Sequence, residues 1–210
     1  MNSRPLIEYT FETAIESKKL SRVILSTDTS DIVDCALRFR IEIPFIRPAE
    51  FSTDTSPANE YIYHCLDFLA ENEDYAPEVI VILQPTSPFR NASDIDSCID
   101  LLLESECDSV VSVTELNNKY NPEWQFIINS KGWLHSYTNS SWNKIIPRRQ
   151  DLVPTYTRNG AVYTFWRSSF LKNKNIYGKK IIPYIMPTQR SVNIDDMKDW
   201  ERAENIIRSR

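Results

Sequence analysis

The chain has 210 residues, 41% of them hydrophobic and 25% charged, with a net charge of −5. This is ordinary globular usage with material for one sizeable core. The acidic balance argues against a nucleic-acid or anionic-membrane surface as the main activity, since either wants a basic face. No apolar run approaches a bilayer span, and Met1 precedes polar residues rather than the apolar segment of an export signal. Cys35, Cys65, Cys98 and Cys107 lack zinc-site spacing, so they read as reduced thiols of a cytoplasmic protein.

From Pro5 to about Lys18, apolar residues recur at helical spacing with proline in the first turn. Arg22–Ser26 (RVILS) predicts a buried strand, Ser30–Phe39 a second helix and Ile43–Ile46 another short strand. An irregular loop, RPAEFSTDTSP, leads to a helix from Ala58 to about Ala70. Val79–Leu83 (VIVIL) is apolar throughout, the pattern of a strand covered on both faces. After QPTSPFRNA comes a helix over Asp94–Glu104, capped by Ser93, and then a strand over Ser109–Thr114.

Between Asn117 and Pro154 prolines, asparagines and tryptophans dominate, and WQFIINSKGWLHSY reads as a β-hairpin turning at Lys131-Gly132. Strands resume at Ala161–Phe165 and Ile181–Met186. The last helix, Asp196–Arg208, carries Trp200, Ala203, Ile206 and Ile207 on its apolar face. Strands alternating with helices of about ten to fourteen residues predict an α/β fold, with a largely parallel sheet covered on both faces. One domain spans residues 1–210, with 117–154 as an inserted arm.

Ligands of open α/β sheets bind beyond the carboxyl ends of the strands. That singles out STD (26–28), RPAEFSTDTS (47–56), QPTSPFR (84–90) and NIDD (193–196). Arg47 and Arg90 offer planar charged donors for carboxylate or phosphate. Ser52, Thr53, Thr55, Thr86 and Ser87 add small donors and acceptors, and Gln84 can bond in both directions from the end of a buried strand. Asp28 reads slightly better as a helix cap than as a site residue. His64 reads as structural, and His135 as facing solvent or an interface. Trp124, Trp133 and Trp142 fit a dimer contact better than a base-stacking platform. Glycine is scarce: Gly132, Gly160 and Gly178 stand alone, against a usual share of about 7%. A glycine loop that cradles phosphates is therefore not in this sequence. Either the chain binds no nucleotide or such a loop lies upstream of Met1.

IRPAEFSTDTS, VILQPTSPFR, DSVVSVTE, RNGAVYTF and SVNIDDMKDWERAE, in this order, resemble the acylneuraminate (sialic acid) cytidylyltransferases over nearly the whole chain. The resemblance implies a three-layer α/β/α, Rossmann-like nucleotidyltransferase fold with a mixed sheet, and a hairpin arm that packs on a second subunit and helps close its active site. It implies transfer of CMP from CTP to the anomeric hydroxyl of a nine-carbon keto-sugar acid of the sialic or legionaminic type, with magnesium on the phosphates. The intact QPTSPFR loop points away from pseudaminic-type and octulosonate-type enzymes.

Carried over, Arg47, Ser52 and Thr55 hold the cytidine. Gln84, Thr86 and Ser87 form the sugar-side loop, and Gln84 joins Asp195 as a catalytic candidate. Arg149, Gln150, Tyr156 and Asn159 close over the sugar. Asp195 is the chief magnesium ligand, with Asn193, where relatives carry a carboxylate, as an auxiliary one. The family's first strand and its basic glycine loop (ARGGSKG in form) fall before Met1. The resemblance therefore implies a gap in the sheet between Arg22–Ser26 and Val79–Leu83, and a poorly soluble chain without CTP-dependent transfer. A non-catalytic copy that binds sugar or dimerises is the alternative.

Overall fold

The structure, a computed structural model, describes all residues except Asn2, Asp54, Thr55, Asn139 and Arg210. Three helices come first: α1 (Leu6–Glu16), α2 (Ser30–Arg38) and α3 (Ala58–Glu73), the last ended by Asp74 in the left-handed region at φ 49°. Strand β1 (Val79–Ile82), helix α4 (Ala92–Glu104) and strand β2 (Ser109–Glu115) follow. The hairpin strands β3 (Phe126–Ile128) and β4 (Leu134–Ser136) precede β5 (Tyr156–Trp166), α5 (Arg167–Asn173), β6 (Ile181–Ile185) and α6 (Met197–Arg208).

The central sheet has the order β1-β5-β2-β6. β5 runs antiparallel to both neighbours while β2 and β6 are parallel, so β1, β2 and β6 point the same way. The sheet is mixed, and its alternating side chains divide between two cores. Val79 and Val81 pack with Val110 and Val162 against Ile95, Cys98 and Leu102 of α4. Ile80 and Ile82 pack with Phe165 against Ile62 and Leu66 of α3 and Phe170 of α5. Helices on both faces make three layers. Two smaller cores join the rest: Phe11 of α1 packs with Cys35 and Ala36 of α2, and Val192, Ile194 and Ala203 pack with Phe89.

Most elements lie where the sequence places them; the differences have physical causes. Arg22–Ser26 and Ile43–Ile46 form no strands: the first makes one parallel bridge, Ile24 with Glu42, just before the second. A strand exists only through its ladder, and apolar content alone cannot supply one. Among the described residues β1 is an edge of the sheet and pairs with β5 alone. Ser26 Oγ and Arg90 Nη1 are buried without partners among the described residues. The α4 cap is Asn91, not Ser93: the Asn91 N–H donates to Asp94 Oδ2 at 2.7 Å. β5 starts five residues earlier than the apolar run suggests, because exposed Tyr156–Arg158 still pair with Val113–Glu115. α5 has no apolar repeat long enough to show in the sequence.

The hairpin stands apart as its own two-stranded sheet, turning at Gly132 (φ 80°). All four cysteines are free; burial pushes the Cys65 thiol up to about 11 and the Cys98 thiol to about 12, which leaves both unreactive at neutral pH.

Candidate active site

Three loops meet beyond the carboxyl end of β1. The first is Gln84–Ser87. The second is a register shift in β5, where Asn159–Val162 oppose Ser112 alone between paired Val111 and Val113. Ser112 Oγ stitches it, donating to Asn159 Oδ1 at 2.6 Å and accepting from the Val162 N–H at 2.7 Å. Such bulges re-aim a strand near functional sites. Here the bulge sets Gly160, at φ 72°, against the other loops. A Cβ on Gly160 would lie 2.6 Å from Gln84 Oε1, 2.9 Å from Ser87 Oγ and 3.1 Å from Asn193 Oδ1. The third loop is Asn193–Asp196, bound to the first by the Ile194 N–H donating to the Thr86 carbonyl at 2.8 Å.

Within this cradle the side chains divide into supports and free ends. Ser87 is buried and donates to the Asn159 carbonyl at 2.7 Å. Asn159 is only 2% exposed; its amide donates to Ser191 Oγ and Met186 Sδ, and its oxygen accepts from Ser112 and the Ala161 N–H. Both side chains are buried and bonded within the protein, so here they brace the loop from below. Thr86 is half-buried and donates to Asn193 Oδ1 at 2.7 Å. Gln84 differs: it is exposed and, among the described residues, its amide makes no hydrogen bond. Asp195 and Asp196 are exposed, and Asp196 caps α6 by accepting from the Lys198 and Asp199 N–H groups.

Arg90 corrects the sequence reading. It is 2% exposed, and its guanidinium donates to the carbonyls of Gln84 and Ser87 and to Thr10 Oγ1. It holds the loop's shape from inside, and burial pushes its pKa down to about 9. Asp94, also fully buried, pairs with Arg190 and accepts from Tyr184 at 2.9 Å, tying α4 to β6 and the loop that follows. A sequence carries no sign of such a pair.

Arg47 and Ser52 do come together, in a second group: Arg47 Nε donates to Ser52 Oγ at 2.9 Å, and Arg47 lies 3.6 Å from Asp28 and over the Tyr61 ring. Asp28 faces this arginine and does not cap α2, whose cap residue is Thr29. Thr55 lies outside the described residues. Arg149 and Gln150 project from a short turn at the end of the arm, and Tyr156 from the start of β5; all three are exposed and stand apart from the cradle's bonds. His64 is wedged among Phe45, Phe51 and Phe68, a structural position. His135 is exposed and bonded to Asn129 at 2.8 Å.

Against this geometry, a family model described as Cytidylyltransferase matches residues 1–206. The chain belongs to the cytidylyltransferase family. Among curated relatives, the N-acylneuraminate cytidylyltransferase of Escherichia coli is 31% identical over 208 residues, 97% of this chain and 46% of that protein. This chain thus spans about half the length of that relative. The CMP-N,N'-diacetyllegionaminic acid synthase of Legionella pneumophila is 29% identical, across 97% of this chain and 85% of its own length. A pseudaminic acid cytidylyltransferase of Campylobacter jejuni is 23% identical across 98% of this chain and 86% of its own length. The fold is shared with a CMP:2-keto-3-deoxy-manno-octonic acid synthetase solved with CTP, at a TM-score of 0.66 and 11% identity over 98% of this chain and 88% of that one. In open α/β sheets ligands bind beyond the carboxyl ends of the strands, the end at which the cradle lies.

No group of three or more His, Cys, Asp or Glu side chains among the described residues is placed to hold a metal ion. Magnesium asks less of a protein: one or two carboxylates beside substrate phosphates are enough. Asp195 fits that demand. Asn193 does not as it stands, because its oxygen is taken by Thr86 and its amide nitrogen faces Asp195.

Proposed function

We propose that this cytidylyltransferase moves CMP from CTP to the anomeric hydroxyl of a nonulosonic acid of the sialic or legionaminic type. One observation carries the reading: Gln84 presents an amide with no hydrogen bond among the described residues, from the rim of a cradle braced on its buried side by Arg90, Ser87 and Asn159. That is a rigid hydrogen-bonding end set where sugar-phosphate ligands of this fold class lie.

In the reaction the anomeric oxygen attacks the α-phosphorus and forms the new P–O bond. The α–β bridging bond breaks, pyrophosphate leaves with that electron pair, and the hydroxyl proton passes to the medium. Gln84 orients the sugar, with Thr86 beside it. Arg47 and Ser52 receive the cytidine, their mutual bond giving way to the ligand. Magnesium, when bound at Asp195, offsets charge on the transferring phosphates. The expected assay is pyrophosphate release and a CMP-sugar product from CTP, magnesium and N-acetylneuraminic or legionaminic acid. Absence of product with every nonulosonic acid offered would sink the reading in favour of a sugar-binding copy. Gln84→Ala is expected to lower kcat/KM by about tenfold to a hundredfold, the worth of one or two lost hydrogen bonds. Its thermal stability should stay at the parent value, because the exposed amide supports nothing; unchanged kinetics would remove Gln84 from the site.

The reading includes a homodimer through residues 117–154. Ile128 and Trp133 of the hairpin are 71% and 65% exposed, and Phe126, Leu134 and Trp142 are also exposed. Such a cluster of aromatic and aliphatic side chains on an isolated hairpin suits an interface. Arg149 and Gln150 from the end of the arm, with Tyr156 just beyond it at the start of β5, would reach the partner's cleft. Ile128→Ser with Trp133→Ser is expected to yield a monomer by light scattering at micromolar concentration, against a dimer for the parent chain. A monomeric parent chain would refute this part. The free thiols support a cytoplasmic setting. Among the described residues no helix is long and apolar enough to cross a membrane.

A further inference from the structure

We propose that Asn193 is a positioning residue, a strut through which the Thr86 hydroxyl sets the direction of the Asp195 carboxylate; this rests on the reading of Asp195 as the metal carboxylate. A carboxamide has an acceptor on one edge and donors on the other. Here the acceptor edge faces inward, where Oδ1 accepts from Thr86 Oγ1 at 2.7 Å. Ser87 Oγ lies 3.3 Å from the same oxygen, but its single proton is given to the Asn159 carbonyl at 2.7 Å, so Thr86 is the anchor. The donor edge faces outward, where Nδ2 donates to Asp195 Oδ2 at 2.6 Å.

Three further features hold the strut in place. The backbone bond from Ile194 to Thr86 keeps the two loops in register. The bare Cα of Gly160 leaves room for Gln84, Ser87 and the Asn193 oxygen to share one corner. On the outer side, the Asp195 N–H donates to Asp199 Oδ2 at 3.2 Å. One Asp195 oxygen is thus held by a neutral donor while Oδ1 is left for a cation.

The amide N–H groups repel a cation, so in this orientation Asn193 acts on the metal only through Asp195. A single oriented carboxylate, not a pair, is this chain's contribution. The same contact makes the sugar-side loop and the metal-side loop one mechanical unit: Thr86 sits two residues from Gln84, and Asn193 two residues from Asp195.

The test has two readouts. In the metal-free protein, thermal unfolding of Thr86→Val, Asn193→Ala and the double variant is expected to be non-additive, with the double variant melting where Asn193→Ala alone melts. Additive losses would overturn the strut. In the second, Mn2+ binding is followed by electron paramagnetic resonance with CTP present. Thr86→Val is expected to bind Mn2+ about tenfold more weakly, as outer-shell losses do, and Thr86→Ser, which keeps the hydroxyl, like the parent. If Thr86→Val binds Mn2+ normally while Asn193→Ala does not, Asn193 is a direct ligand and the proposal fails. If Asp195→Asn leaves Mn2+ binding unchanged, the assignment of Asp195 to the metal falls instead, and the strut loses its purpose even where the thermal cycle shows coupling.

Discussion

Gly160→Ala is expected to lower the melting temperature by about 5–15 °C and to abolish transfer. Two costs add. The φ of 72° is the left-handed region, worth about 1–2 kcal/mol against any residue with a Cβ. The added methyl must also push Gln84 Oε1, Ser87 Oγ or Asn193 Oδ1 away from contacts of 2.6–3.1 Å. Ser87 cannot yield without breaking its bond to the Asn159 carbonyl, so the strain enters the core. A total of about 2–4 kcal/mol corresponds to the stated shift for a chain of this size. Gly132→Ala is the control: its φ is 80° but nothing lies within 4 Å of the added carbon, so only the backbone cost remains. Equal losses at both positions, by calorimetry, would show that the cradle's close approach has no energetic weight.

Asp195→Asn should cut metal-dependent turnover by about a hundredfold or more while leaving the melting temperature within about a degree of the parent. The side chain is exposed, so little of the fold depends on it. Replacing the carboxylate by an amide keeps size and removes charge, and charge is what a hard divalent cation requires. Turnover would be measured as pyrophosphate release across a magnesium titration. Loss of activity that saturating magnesium restores would place the defect in metal affinity; parent-like turnover at every concentration would exclude Asp195 from the site.

Much of this was legible in the residues alone. The VIVIL and SVVSVT runs read as covered strands, and the apolar repeats of about 5–18, 58–70 and 196–208 as helices, because side-chain period is a local property. The order of elements then placed the loops 84–90 and 193–196 at one end of the sheet. Family membership followed from the same loops. What the sequence could not decide was which way each polar side chain turns. Arg90 carries the same charge as Arg47, yet one lies under its loop bonded to carbonyls and the other lies beside Ser52 and Asp28. Asn159 and Ser87 are as polar as Gln84, but a four-residue bulge opposite Ser112 draws them inside. Arg22–Ser26 carries the apolar run Val23–Leu25 and still finds only one bridge. Local pattern therefore determined most of the elements, their order and the loops that could bear chemistry. Hydrogen-bond partners, which in the cradle come from segments as many as 107 residues apart, exist only once the chain has closed, and they alone decided which candidate side chains are left free and which hold the loops together.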